Sequence, residues 1–108
     1  MKLLTQAIIK QLPALRSTDG SGDRPIICKF FTPWTNWTWY VLEGEQQPDG
    51  DWHLYCFVEG HEKEFGLVSL NELAAIKGPF GLRIERDLRY TGMLSDVCDV
   101  FRSEEKSA

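Results

Sequence analysis

Soft metal ligands are scarce in this sequence. It has three cysteines, Cys28, Cys56 and Cys98, and two histidines, His53 and His61. No C-x-x-C pair stands among them, so spacing spells out no zinc site. An odd number of widely separated cysteines gives no disulfide framework either. Basic residues are in the minority, 12 against 16 acidic, for a formal net charge of −4. Lys and Arg supply the phosphate neutralisation that non-specific nucleic-acid binding needs, so direct binding of DNA or RNA is not expected. No stretch approaches the roughly 20 apolar residues of a membrane span. The opening MKLLTQAIIKQLP is interrupted by Thr5, Gln6, Lys10 and Gln11, unlike the core of a signal peptide. The expectation is a cytoplasmic protein with reduced thiols and no membrane partner. GPFG (78–81) lacks the glycines and the following Lys-Ser or Lys-Thr of a phosphate loop.

What is present suits one globular domain over residues 1–108. The chain is 43% apolar and 12% aromatic, enough for a single core without staples. LTQAIIKQLP reads as a short helix with Thr5 at its cap and Pro13 at its end. RSTDGSGDRP (16–25) has the composition of a mobile loop. IICKFF (26–31), WTWYVLEG (37–44), WHLYCFVEG (52–60) and EFGLVS (64–69) have strand composition and close connections, which predicts an antiparallel meander. SLNELAAIKG (69–78) is the clearest helix, with Ser69 and Glu72 at capping-box spacing and Gly78 in the place of a C′ glycine. GPFGL (78–82) is a rigid turn. IERDLRY (84–90) alternates as a fifth, edge strand would. LSDVCDVF (94–101) suggests a last short helix capped by Ser95, and 102–108 a frayed tail. The fold class that follows is α+β: a four- or five-stranded antiparallel sheet with two helices packed on one face.

The densest feature is FTPWTNWTWY (31–40). Alternation places Trp37, Trp39 and Val41 on one face, with Thr38, Tyr40 and Leu42 on the other. Trp52, Leu54, Cys56 and Val58 share a face, as do Ile26, Cys28 and Phe30. Both faces are thus apolar, and two helices cover only one. A C-terminal segment, a partner or solvent must meet the second face. His53 and Cys56 fall on opposite faces, which argues against a nucleophile–base pair. Trp34 and Asn36 sit in a turn after Pro33. There the indole either anchors a partner or folds back over the sheet, with Asn36 making an Asx-type bond. Glu85-Arg86-Asp87 offers paired carboxylates that either do acid–base work or form a surface strand with ion pairs. Charge is concentrated elsewhere. Between Glu43 and Glu64 there are seven acidic residues against Lys63 alone, a composition suited to a basic protein partner.

Two blocks, KFFTPWTNWTWY (29–40) and GPFGLRIERDL (78–88), with LVSLNEL between them, resemble a family of small bacterial proteins catalogued only as a domain of unknown function. The opening MKLLTQAIIKQLPAL is similar to that family's start, and Arg83 departs from its usual proline. The resemblance implies an accessory role on plasmids and other mobile elements, and carries no catalytic residue or cofactor. The expectation is a non-enzymatic protein-interaction module of a mobile genetic element, one version being an inhibitor of a host defence protein. It would have a protein partner, no cofactor, no metal and no catalytic residue. The alternative is a small enzyme or ligand-binding protein, with a site formed by the FTPWTN turn and the IERD segment. The candidate binding residues for either are Thr32, Trp34, Asn36, Glu85, Arg86 and Asp87.

Overall fold

A computed structural model describes residues 2–99. Helix α1 is one turn, Gln6–Ile9, and the Thr5 hydroxyl accepts its cap bond from the Ile8 N–H at 3.3 Å. The strands are β1 (Pro25–Ile26), β2 (Cys28–Phe31), β3 (Thr38–Gln46), β4 (Trp52–Glu59), β5 (Lys63–Ser69), β6 (Glu85–Arg86) and β7 (Gly92–Met93), and α2 (Leu70–Ala75) follows β5. Five strands form one antiparallel sheet in the order β5-β4-β3-β2-β6, and β1 pairs with β7 alone. The class is α+β, as the alternating strands and capped helices imply.

The first face carries Cys28, Phe30, Trp39, Val41, Leu54, Cys56 and Val58, all buried. Leu3, Leu4 and Leu73 join them, with Ile8, Ile9, Leu12 and Leu70 packed at the edge. Both helices are too short to cover this face by themselves. The segment before α1, Ile84 and three tryptophans complete the cover. The second face carries Tyr40, Leu42 and Phe57, capped by Ile26, Leu94 and Cys98 with Tyr90 and Val97 beside them. The C-terminal segment therefore supplies this cover.

Ile26 departs from its expected face, because the predicted first strand breaks at Ile27. There the N–H donates to the Val41 carbonyl at 2.8 Å, and β1 turns to pair with β7. Other elements are shorter than their patterns. Helix α2 stops at Ala75, since Ile76 is already extended. Gly78 is not a left-handed helix stop: its φ is −99°. Of IERDLRY only Glu85 and Arg86 pair with β2, after which the Asp87 carboxylate takes the Arg89 N–H at 3.1 Å and turns the chain. The expected last helix is a single 3₁₀ turn, Leu94–Asp96. Ser95 does not cap it. It is buried within it, donating its N–H and hydroxyl to Asp23 at 2.8 and 2.7 Å. Val97 has already left helical geometry, at φ −121°. Residues 100–101 of that predicted helix and the 102–108 tail lie outside the described residues.

One irregularity shapes the second face. Val41 pairs with Cys56 and Glu43 with Tyr55, so Leu42 is an extra residue in β3. Such a bulge shifts the alternation by one position. Leu42 and Glu43 consequently both turn to the second face, and Glu43 is 1% exposed. Its carboxylate accepts from the backbone N–H groups of Arg16 (2.7 Å) and Thr18 (3.0 Å) and from the Thr18 hydroxyl, with Arg24 at 3.6 Å. The 16–25 loop is tied to the sheet here, and again at Asp23.

Candidate functional site

The two sequence blocks meet. Phe31 pairs with Glu85 and Phe30 with Arg86, and the Asp87 N–H donates to the Lys29 carbonyl at 2.9 Å. The six candidate residues do not, however, share one surface. Arg86 lies across from Phe30 on the first face and donates to the carbonyls of Lys2 and Leu3 at 2.6 and 2.9 Å, which clamps the N-terminal segment. Thr32 is buried, and its hydroxyl bonds that of Thr35. The turn is closed by the Thr32 N–H on the Trp37 carbonyl (3.1 Å) and the Trp37 N–H on the Thr35 hydroxyl (3.1 Å). An open cavity of about 330 Å³ on the second face is lined by Thr32, Asn36 and Asp87, over Phe31 and Thr38, with Lys29 beside them. Trp34, Glu85 and Arg86 do not line it.

Trp34 folds back. It packs against the first-face core, and its ring lies directly on Gly78, where any side chain would overlap it. Trp37 does the same on Gly60, stacking on Trp39 with ring centroids 6.0 Å apart. Both rings are packing groups. Neither is a projecting anchor.

Cys28 and Cys56 are not poised for chemistry. Burial pushes the Cys28 thiol up to about 12 despite the Arg86 charge nearby, and burial raises Cys56 further. Both are protonated at neutral pH, so neither is an activated nucleophile. Among the described residues, no group of three or more His, Cys, Asp and Glu is placed to hold a metal ion. None of their helices is long and apolar enough to cross a membrane.

The feature that stands out is what Trp34 supports. Lys77 pairs with Arg83 in an antiparallel bridge. The Gly78 N–H donates to the Leu82 carbonyl at 2.7 Å, and the Leu82 N–H to the Pro79 carbonyl at 3.0 Å. These bonds close a tight turn with Phe80 and Gly81 at its centre, both left-handed, at φ +57° and +75°. Two successive positive-φ residues make a type I′ arrangement, which is normally filled by Gly, Asn or Asp. Phe80 fills the first position, and its side chain is fully exposed at 102%. Ile76 and Leu82 are also partly exposed, at 39% and 37%. In sequence GPFGL reads only as a rigid turn: with Pro79 suited to the first central position of an ordinary turn, nothing local marks Phe80 as left-handed.

The chain belongs to the family described as protein of unknown function (DUF2958), whose model matches residues 3–104. No curated protein and no solved structure matches it.

Proposed function

We propose that the protein is a non-enzymatic interaction module that binds another protein through the turn bearing Phe80. One observation carries this reading. A large apolar side chain is held entirely in solvent on a backbone conformation that costs a non-glycine residue about 1–2 kcal/mol. Phe80 packs against nothing that would return that cost to the fold. Exposed aromatic groups on rigid supports are the typical anchors of protein interfaces. The role as accessory of a mobile genetic element is supported by the two sequence blocks. The version in which it inhibits a host defence protein is supported by the acidic residues between Glu43 and Glu64. Two of those acids serve the fold: Glu43 and Asp51 are buried. This reading puts the anchor at Phe80 and not in the acidic loops. Capture of tagged full-length protein from host lysate tests the reading. Phe80→Gly is expected to lose a protein that the wild type retains, with far-UV dichroism unchanged. Equal recovery by both, or no specific protein with the wild type, overturns it.

The open cavity favours a second reading, a small-ligand site, because Thr32, Asn36 and Asp87 converge over an aromatic floor. Its size falls within the usual range for ligand sites, about 300–1,000 Å³. A compound from a neutral polar library that raises the melting temperature of the wild type, but not of Asp87→Asn, would support it. No such compound would remove it.

A further inference from the structure

The turn itself carries only basic charges, although the molecule is net acidic and Glu72 and Glu85 lie just outside it. Residues directly opposite in an antiparallel bridge point to the same side, so Lys77 and Arg83 project together from one face of the turn. Both are exposed. Among the described residues neither makes an ion pair within 4.0 Å. The stretch from Ile76 to Ile84 contains no acidic residue, whereas the chain carries a net charge of −4. One arm of the Arg83 guanidinium donates to the Ala74 carbonyl at 3.0 Å, which fixes the base of the turn to the end of α2. With the Trp34 ring on Gly78 and two backbone bonds across the turn, the backbone that carries Phe80 is set before any partner arrives. Such preorganisation lowers the ordering cost of association.

We infer that the Phe80 turn docks into an apolar socket rimmed by acidic side chains on a partner protein. This rests on the interaction reading above and adds the chemistry of the partner. The exposed Phe80 ring requires an apolar hollow. Lys77 and Arg83 require carboxylates at its rim, since complementary charge sets orientation and excludes wrong partners. Other anionic surfaces also combine with an apolar and basic tip, but magnitudes disfavour them. An anionic membrane attracts each nearby Lys or Arg only weakly, and stable anchoring needs more than one such weak signal. Nucleic-acid binding rests on many neutralised phosphates, on the order of 6–10 in tight complexes. Two cations on a net acidic chain fall short of both.

Photo-crosslinking from the tip tests this. Full-length protein carrying p-benzoylphenylalanine at position 80 is irradiated in host lysate, and adducts are mapped by mass spectrometry. The expected result is one protein adduct whose crosslinked segment is apolar and flanked by Asp or Glu. Its yield should fall at least fivefold in a Lys77→Glu background, and as salt is raised. Lys77 is the cleaner site for charge reversal, because Arg83 also braces α2. Persistence of the adduct after Lys77→Glu overturns the acidic rim and leaves the interaction reading standing. Adducts to lipid or nucleic acid overturn the protein socket. If probes at position 80 and elsewhere on the surface give no adduct, both fall.

Discussion

Glu43→Gln lowers the unfolding free energy by about 3 kcal/mol, the cost expected when one partner of a buried, hydrogen-bonded charge pair is removed. The carboxylate has two oxygens and accepts from two backbone N–H groups and a hydroxyl, with Arg24 alongside. Glutamine keeps the shape but turns one acceptor into a donor, facing either Thr18 or Arg16. Arg24 would then lose its counter-charge while 11% exposed. The same residue sets an acid limb. Burial pushes its pKa up, but the Thr18 hydroxyl, the Arg16 and Thr18 N–H groups and the Arg24 charge together outweigh it. The net shift is below the ordinary 4.5. A group whose folded pKa is depressed contributes stability above its unfolded pKa and loses it as pH falls through the folded value. Wild-type stability should therefore drop as pH is lowered from about 5 through that carboxyl's titration. In Glu43→Gln that part of the drop should be missing. Urea denaturation at pH 7 and pH 3 measures both effects. An equal drop in the two proteins would rule out the assignment.

Trp34→Ala costs about 2–3 kcal/mol, somewhat below the 3–5 kcal/mol typical of a fully buried aromatic, because the ring is only half-buried. The loss has two parts. The indole leaves the first-face core, against which it packs. It also leaves the floor beneath Gly78, on which the Phe80 turn is seated. The variant should therefore weaken partner capture as well as stability, although Trp34 need not touch the partner. Adding back stability elsewhere would not restore capture. Hydrogen exchange separates the two effects. The N–H of Leu82, which closes the turn on Pro79, should lose protection by more than the global change in stability. A Leu82 amide protected as in the wild type would show that the turn stands without the ring.

Much of the fold was legible. Thr5 and Ser69 cap the helices that their spacing announced, and four strands fall where β-branched and aromatic residues cluster. The face assignments held for Trp39, Val41, Tyr40, Leu54, Cys56 and Phe57, because period-two alternation depends only on the chain's own pleat. It failed at Ile26 and beyond Leu42. A break at Ile27 and a one-residue bulge are decided by partner strands, and no local signal marks them. For that reason Glu43 read as one of seven acids suited to a basic partner, whereas it is a buried anchor. Helix α2 ended early for a similar reason: Gly78 is glycine to admit the Trp34 ring, not to stop a helix. The candidate residues were scattered by the same tertiary choices. Thr32, Asn36 and Asp87 converge, Arg86 serves the N-terminal segment, and Trp34 supports a turn that the sequence marked only as rigid.

The most direct measurement is the urea midpoint of Phe80→Gly, taken on the preparation used for capture. Glycine accepts φ near +57° without penalty, and the wild-type ring is in solvent. The account predicts a gain of about 1 kcal/mol at unchanged denaturant slope, together with loss of the captured protein. A fall in stability, or capture equal to wild type, would contradict the claim that Phe80 is held strained and exposed for a partner.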